Sequence, residues 1–212
     1  MKVAQIPEFF ARLASADPTP ETELNFTNHF TLLVAVVLSA QATDKGVNRA
    51  TESLFKKADN ATDMAALGEA AIRDEIKTIG LYRNKAKNVQ KLSETLRDAY
   101  DGVVPDDMQT LMSLPGVGRK TANVVMNVAF GVATFAVDTH VFRLSNRTGL
   151  APGKTELAVE KKLDRRVPEP YRLHAHHWLI LHGRYVCLAR KPKCYNCVVS
   201  DLCRFKPKTE HA

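Results

Sequence analysis

Apolar residues along this chain recur at helical rather than strand spacing almost from end to end. In the stretch NKAKNVQKLSETLRDA (84–99), Ala86, Val89, Leu92 and Leu96 fall on one face with charges opposite. Residues 119–130 repeat the pattern and stop at Gly131, suited to the left-handed position that closes a helix. Residues 30–41 read as a buried helix and 64–78 as an amphipathic one; 152–168 is another, opened by Pro-Gly and closed by Pro168. No segment alternates as a half-buried strand must, so the expected fold is all-α. At 212 residues there is room for one large or two small domains with an ample core. A shift of 36 aligns EIKTIGLYRNKAKNV (75–89) with LMSLPGVGRKTANVV (111–125), each copy a helix, a glycine-bearing turn and a helix. Asn84 in the first copy stands where Lys120 stands in the second.

Charge narrows the partners. Lys and Arg number 30 against 23 for Asp and Glu, a net charge of +7, which favours a polyanion such as nucleic acid. A membrane is the weaker option, because the longest apolar run, LLVAVVL at 32–38, is far short of the ~20 residues of a span. The opening residues, with Pro7, Glu8 and Asp17, lack the unbroken apolar region of a secretory signal, so the chain is read as cytoplasmic. The cysteines agree with a reducing compartment. All four, Cys187, Cys194, Cys197 and Cys203, lie near the end of the chain, where they staple nothing distant and suggest a metal site. Their spacing, C-x6-C-x2-C-x5-C, suits either tetrahedral zinc or a [4Fe–4S] cube. Arg184, Arg190, Lys191, Lys193, Arg204, Lys206 and Lys208 surround them.

The stretch LPGVGRKTANVV (114–125) carries the chemistry. The turn formed by Pro115, Gly116, Val117 and Gly118 lets the backbone approach closely, and the N–H groups opening the next helix have no internal partners. Such a turn can grip a phosphate, with Arg119 beside it. Lys120 then sits in the first turn of a helix, where the macrodipole disfavours a cation. A free lysine amine titrates near ~10.4, and only its neutral form attacks carbon. Burial and a helix N-terminus both favour that form. A plain phosphate contact is the alternative. In TFAVDTHVFRLSNRTGL (134–150), Asp138 precedes a helix and reads as its N-cap. An anion there can also oppose positive charge developing on a sugar. His140, His174, His176, His177 and His182 are read as packing or capping residues.

With these segments in hand, together with LLVAVVLSAQATD (32–44) and HHWLILHGRYVC (176–187), the chain resembles the endonuclease III family over nearly its whole length. The hairpin resembles the helix–hairpin–helix of DNA repair glycosylases, and the six-two-five cysteine spacing is that of the family's iron–sulfur loop. The resemblance implies a bifunctional DNA glycosylase and abasic-site lyase with two helical domains flanking a DNA-binding cleft. One would span 22–132 with the hairpin at about 108–127; the other would join 1–21 to 133–212 with the cluster loop at 187–203. It implies Lys120 as nucleophile, Asp138 as catalytic aspartate and a [4Fe–4S] cluster on the four cysteines. It also implies a monomer acting with the nucleoid of a bacterial cytoplasm, on double-stranded DNA bearing damaged pyrimidines or abasic sites. Gln41 matches a residue that fills the gap left in the duplex, and Leu81 a wedge into the opposite strand. The rivals are a monofunctional mismatch glycosylase of the same superfamily, whose members lack the lysine, and a non-catalytic DNA-binding module.

Overall fold

The computed structural model describes residues 1–210, and no strand occurs among them. Two compact units emerge, one of Glu23–Gly131 and one that joins Met1–Thr22 to Val132–Ala212.

The first unit is built round α2 (His29–Ser39), in which every residue from Phe30 to Leu38 is buried. A helix apolar on all sides must be central, and α2 is packed by α3 (Asp44–Lys57), α6 (Tyr82–Ala99) and α8 (Arg119–Phe130). Side-chain caps set most starts. The Asn28 carboxamide accepts from Thr31 N at 2.9 Å and Thr43 Oγ1 from Gly46 N at 3.2 Å. Asn60 accepts from Asp63 N at 2.9 Å to begin α4 (Ala61–Leu67), and Asp107 from Thr110 N at 2.8 Å to begin α7 (Met108–Ser113). The single helix expected over 64–78 is instead two, α4 and α5 (Glu69–Glu75). Gly68, at φ 86°, turns the chain between them. Gly131, at φ 65°, closes α8 as expected.

The second unit packs α1 (Ile6–Ala16), α9 (Thr139–Thr148), α10 (Glu156–Arg166) and α11 (Arg172–Tyr185) round Phe9, Phe10, Leu144, Leu163 and Leu179. Helix α10 starts at a Thr155 cap rather than at Pro152, because the Thr155 hydroxyl accepts from Ala158 N at 3.2 Å. Trp178 donates its indole N–H to Asp17 O at 2.7 Å, tying α11 to the end of α1. After α11 the chain forms a loop with little regular structure, carrying all four cysteines.

Candidate active site

Helices α7 and α8 are joined by the turn 114–118. Gly116 takes φ 79°, and a Cβ there would lie 2.9 Å from the Asn88 Cβ on α6. The residue must therefore be glycine twice over, for its dihedral and for the close approach of α6. Helix α8 begins at Gly118 with no side-chain cap and no acidic residue in its first turn. Its opening N–H groups face outward from an exposed stretch, Gly118, Arg119 and Lys120, which suits an anion. Val117 is buried instead, as the hydrophobic anchor of the turn. Lys120 is the second residue of α8 and is exposed. The burial invoked for it from sequence is thus not supplied by the chain itself; the helix N-terminus is.

The internal repeat is real as architecture, since α5–turn–α6 and α7–turn–α8 share one plan, but the turns differ. In the first copy the left-handed residue is Leu81, at φ 60°, aligned with Val117 rather than with a glycine. Gln41 is left-handed too, at φ 54°. The two turns lie close together: a Cβ on Gly80 would lie 3.7 Å from Gln41 O. Non-glycine residues in this region cost about 1–3 kcal/mol each and gather at functional sites. Leu81, 56% exposed, offers a bare apolar side chain there. The structure therefore brings together two residues singled out from sequence. Periodicity alone carries no sign of this.

Asp138 lies in the other unit and caps α9, its Oδ1 accepting from His140 N and Val141 N, both at 2.9 Å. From the same helix Arg143 donates to Cys187 O at 3.0 Å and Gly183 O at 2.6 Å. One turn on, Arg147 donates to Leu188 O at 2.5 Å, to Ala189 O at 2.8 Å and to Cys187 Sγ at 3.7 Å. Its guanidinium lies 4.6 Å from the centre of the Phe205 ring. The four cysteines line one cavity with Leu144, His182 and Phe205, and the His182 Nε2 is 3.3 Å from Cys197 Sγ. Neither Arg147 nor His182 was legible as a neighbour of the sulfurs. Of the basic residues expected round the loop, Arg184 is half-buried on α11, while Lys191 (φ 47°) and Lys193 are exposed.

The donor set decides what kind of metal centre fits. Burial pushes the Cys197 thiol up to about 11 and raises that of Cys203, so these sulfurs become thiolates only against a cation. All four are free of disulfides. A single tetrahedral zinc needs sulfurs about 3.8 Å apart, from Zn–S ≈ 2.3 Å. Among the described residues no three His, Cys, Asp or Glu side chains converge to hold one ion. Four thiols round one cavity are the donor set of a [4Fe–4S] cluster.

A model of the HhH-GPD superfamily of base excision DNA repair proteins matches residues 34–169. One of the iron–sulfur binding domain of endonuclease III matches 187–203. Endonuclease III of Escherichia coli strain K12 is 52% identical over 210 residues, covering 99% of this chain and 100% of the relative. The chain belongs to the endonuclease III family. The Treponema pallidum endonuclease III is 53% identical over 194 residues, 92% of each chain. Among solved structures, a trapped endonuclease III–DNA covalent intermediate with an estranged adenine superposes with a TM-score of 0.90 at 47% identity, covering 96% of both chains. A thermostable thymine-DNA glycosylase, at 24% identity and TM-score 0.83, shares the fold. The matched iron–sulfur domain holds a [4Fe–4S] cluster, and the chemistry of the four-cysteine cavity fits it. No helix among the described residues is long and apolar enough to cross a membrane.

Proposed function

We propose that this member of the endonuclease III family excises oxidised or ring-damaged pyrimidines from double-stranded DNA and then cuts the strand at the resulting abasic site. The observation that carries this reading is Lys120, exposed on the uncapped first turn of α8 beside the glycine turn. The turn and Arg119 hold a phosphate, contacts that position DNA without reading its sequence. The damaged base is extruded, at a cost lower than for a sound pair. The neutral Lys120 amine bonds to C1′ as the bond from C1′ to the base breaks and the base leaves with its electron pair. Asp138 supplies the carboxylate that opposes positive charge at the sugar and accepts a proton from the nucleophile. The C1′–O4′ bond then breaks, O4′ taking the proton that Asp138 accepted, and the iminium that forms acidifies the C2′ hydrogen, so its loss expels the 3′ phosphate by β-elimination. Gln41 and Leu81 enter the duplex where the base has left.

The four cysteines would hold the cluster, which when bound pins the basic loop of Lys191 and Lys193 for phosphate contact. Arg184 borders that loop. We place the enzyme with the nucleoid, as a monomer in two domains. Borohydride reduction on abasic DNA tests the reading: a covalent adduct forms with the wild-type chain and vanishes in Lys120→Gln, which still binds DNA. An adduct that survives Lys120→Gln would assign the nucleophile elsewhere.

A further inference from the structure

Lys85 is the anomaly of the first unit. It is 5% exposed, and its amine is sealed from solvent with no hydrogen-bond partner among the described residues. It lies on the buried face of α6 beside Ala86 and Val89. A buried ammonium without an acceptor is costly, and a hydrocarbon of the same shape is usually at least as stable. Burial accordingly holds this amine below the ordinary lysine range. Nothing in the packing of the helix requires a charge here.

Its location offers a reason. Long helical side chains lean towards the start of their helix, covering the turn before their own Cα. That direction carries the Lys85 amine back over Leu81, whose carbonyl already accepts from Lys85 N at 3.0 Å. Leu81 and Gln41 are both left-handed, and Gly80, which has no side chain, lets their turns lie close. An amine with that lean is directed at the backbone of the two turns the family reading assigns to the gap in the duplex, though no carbonyl there accepts from it in the DNA-free arrangement.

We propose that Lys85 is a positioning residue for base extrusion: its amine lacks an acceptor while Gln41 and Leu81 rest in the DNA-free turns, and gains one from a carbonyl of those turns when they enter the duplex. The inference rests on the reading of Gln41 and Leu81 as the residues that do so. The charge then weighs against the resting arrangement and for the engaged one, a difference between states that DNA can exploit. Stability is given up for function at this position, as is common at working sites.

Lys85→Met keeps the stem and removes the charge. The expected result has two parts of opposite sign. Tm rises, and single-turnover excision from a duplex slows by about ten- to a hundredfold, the worth of one hydrogen bond to a charged group. Turnover of the same lesion in a single-stranded oligonucleotide, where no gap is filled, stays unchanged. A variant that melts below the wild type, or does not fold, overturns the premise of an uncompensated amine. An unchanged duplex rate, or an equal loss on both substrates, overturns the positioning role. Failure of the wild-type chain to form a borohydride adduct would strike the lyase reading instead, and that assay is scored apart from the melting curve.

Discussion

Gly116→Ala is the sharpest test of the hairpin as built. The residue holds φ 79°, where an L side chain costs about 1–2 kcal/mol. The new methyl would also lie 2.9 Å from Asn88 Cβ, 3.1 Å from its Nδ2 and 3.2 Å from its Cγ. The nearest of these atoms is fixed to the α6 backbone and cannot swing aside, so overpacking adds about 1–3 kcal/mol. Together the substitution should cost about 2–5 kcal/mol, or about 4–20 °C at the 2–4 °C per kcal/mol usual for a chain this long. Gly118→Ala is the control. Its φ is −91° and a Cβ there meets nothing within 4 Å. Only the weaker cap of alanine counts, under about 1 kcal/mol. Denaturant unfolding followed by circular dichroism, with each unit allowed its own transition, reads both values. If Gly116→Ala lies within 1 kcal/mol of the wild type, or Gly118→Ala costs as much, the account of this turn is wrong.

Asp138→Asn keeps an equivalent N-cap and removes the charge, so Tm should hold while excision falls about a hundredfold or more; Asp138→Ala should lose a further ~1 kcal/mol of stability. A parallel loss in both assays from the asparagine variant would reduce Asp138 to a cap. Burial, with His174 nearby, lowers His177 from 6.5 to about 4. The unfolded chain then binds the extra proton, so stability is full above pH 6.5 and falls towards pH 4, by about 3 kcal/mol. His177→Phe should flatten that slope between the two values, and an unaltered slope assigns it to other groups. Arg147→Ala removes two charged hydrogen bonds to backbone carbonyls of the cysteine loop, each worth about 1.5–3 kcal/mol, and the contact with Cys187 Sγ. Iron counted per chain after exposure to a chelator should drop relative to wild type, and equal retention would deny Arg147 a clamping role.

The all-helical class, the hairpin and the capping role of Asp138 were legible because local chemistry dictates them: Asp138 accepts the very N–H groups its position predicts. Gly68 hid inside an apolar period, since one glycine interrupts a helix without altering the spacing round it. Gln41 and Leu81 gave no local signal at all; their backbone angles are imposed by the tertiary packing of two turns. The environment of the sulfurs was equally silent. Arg147 and His182 reach Cys187 and Cys197 across 40 and 15 residues, and no spacing rule links them.

The second unit is stitched from both ends of the chain, with Arg12 paired to Asp201 and Phe10 lodged against Trp178. On the ribosome, α1 is made more than a hundred residues before α9 to α11, the helices it packs with, while Glu23–Gly131 can fold in the interval. The iron-bearing unit therefore closes only once α11 has been made, and the apolar face of α1, with Ile6, Phe9, Phe10 and Leu13, needs shelter until then.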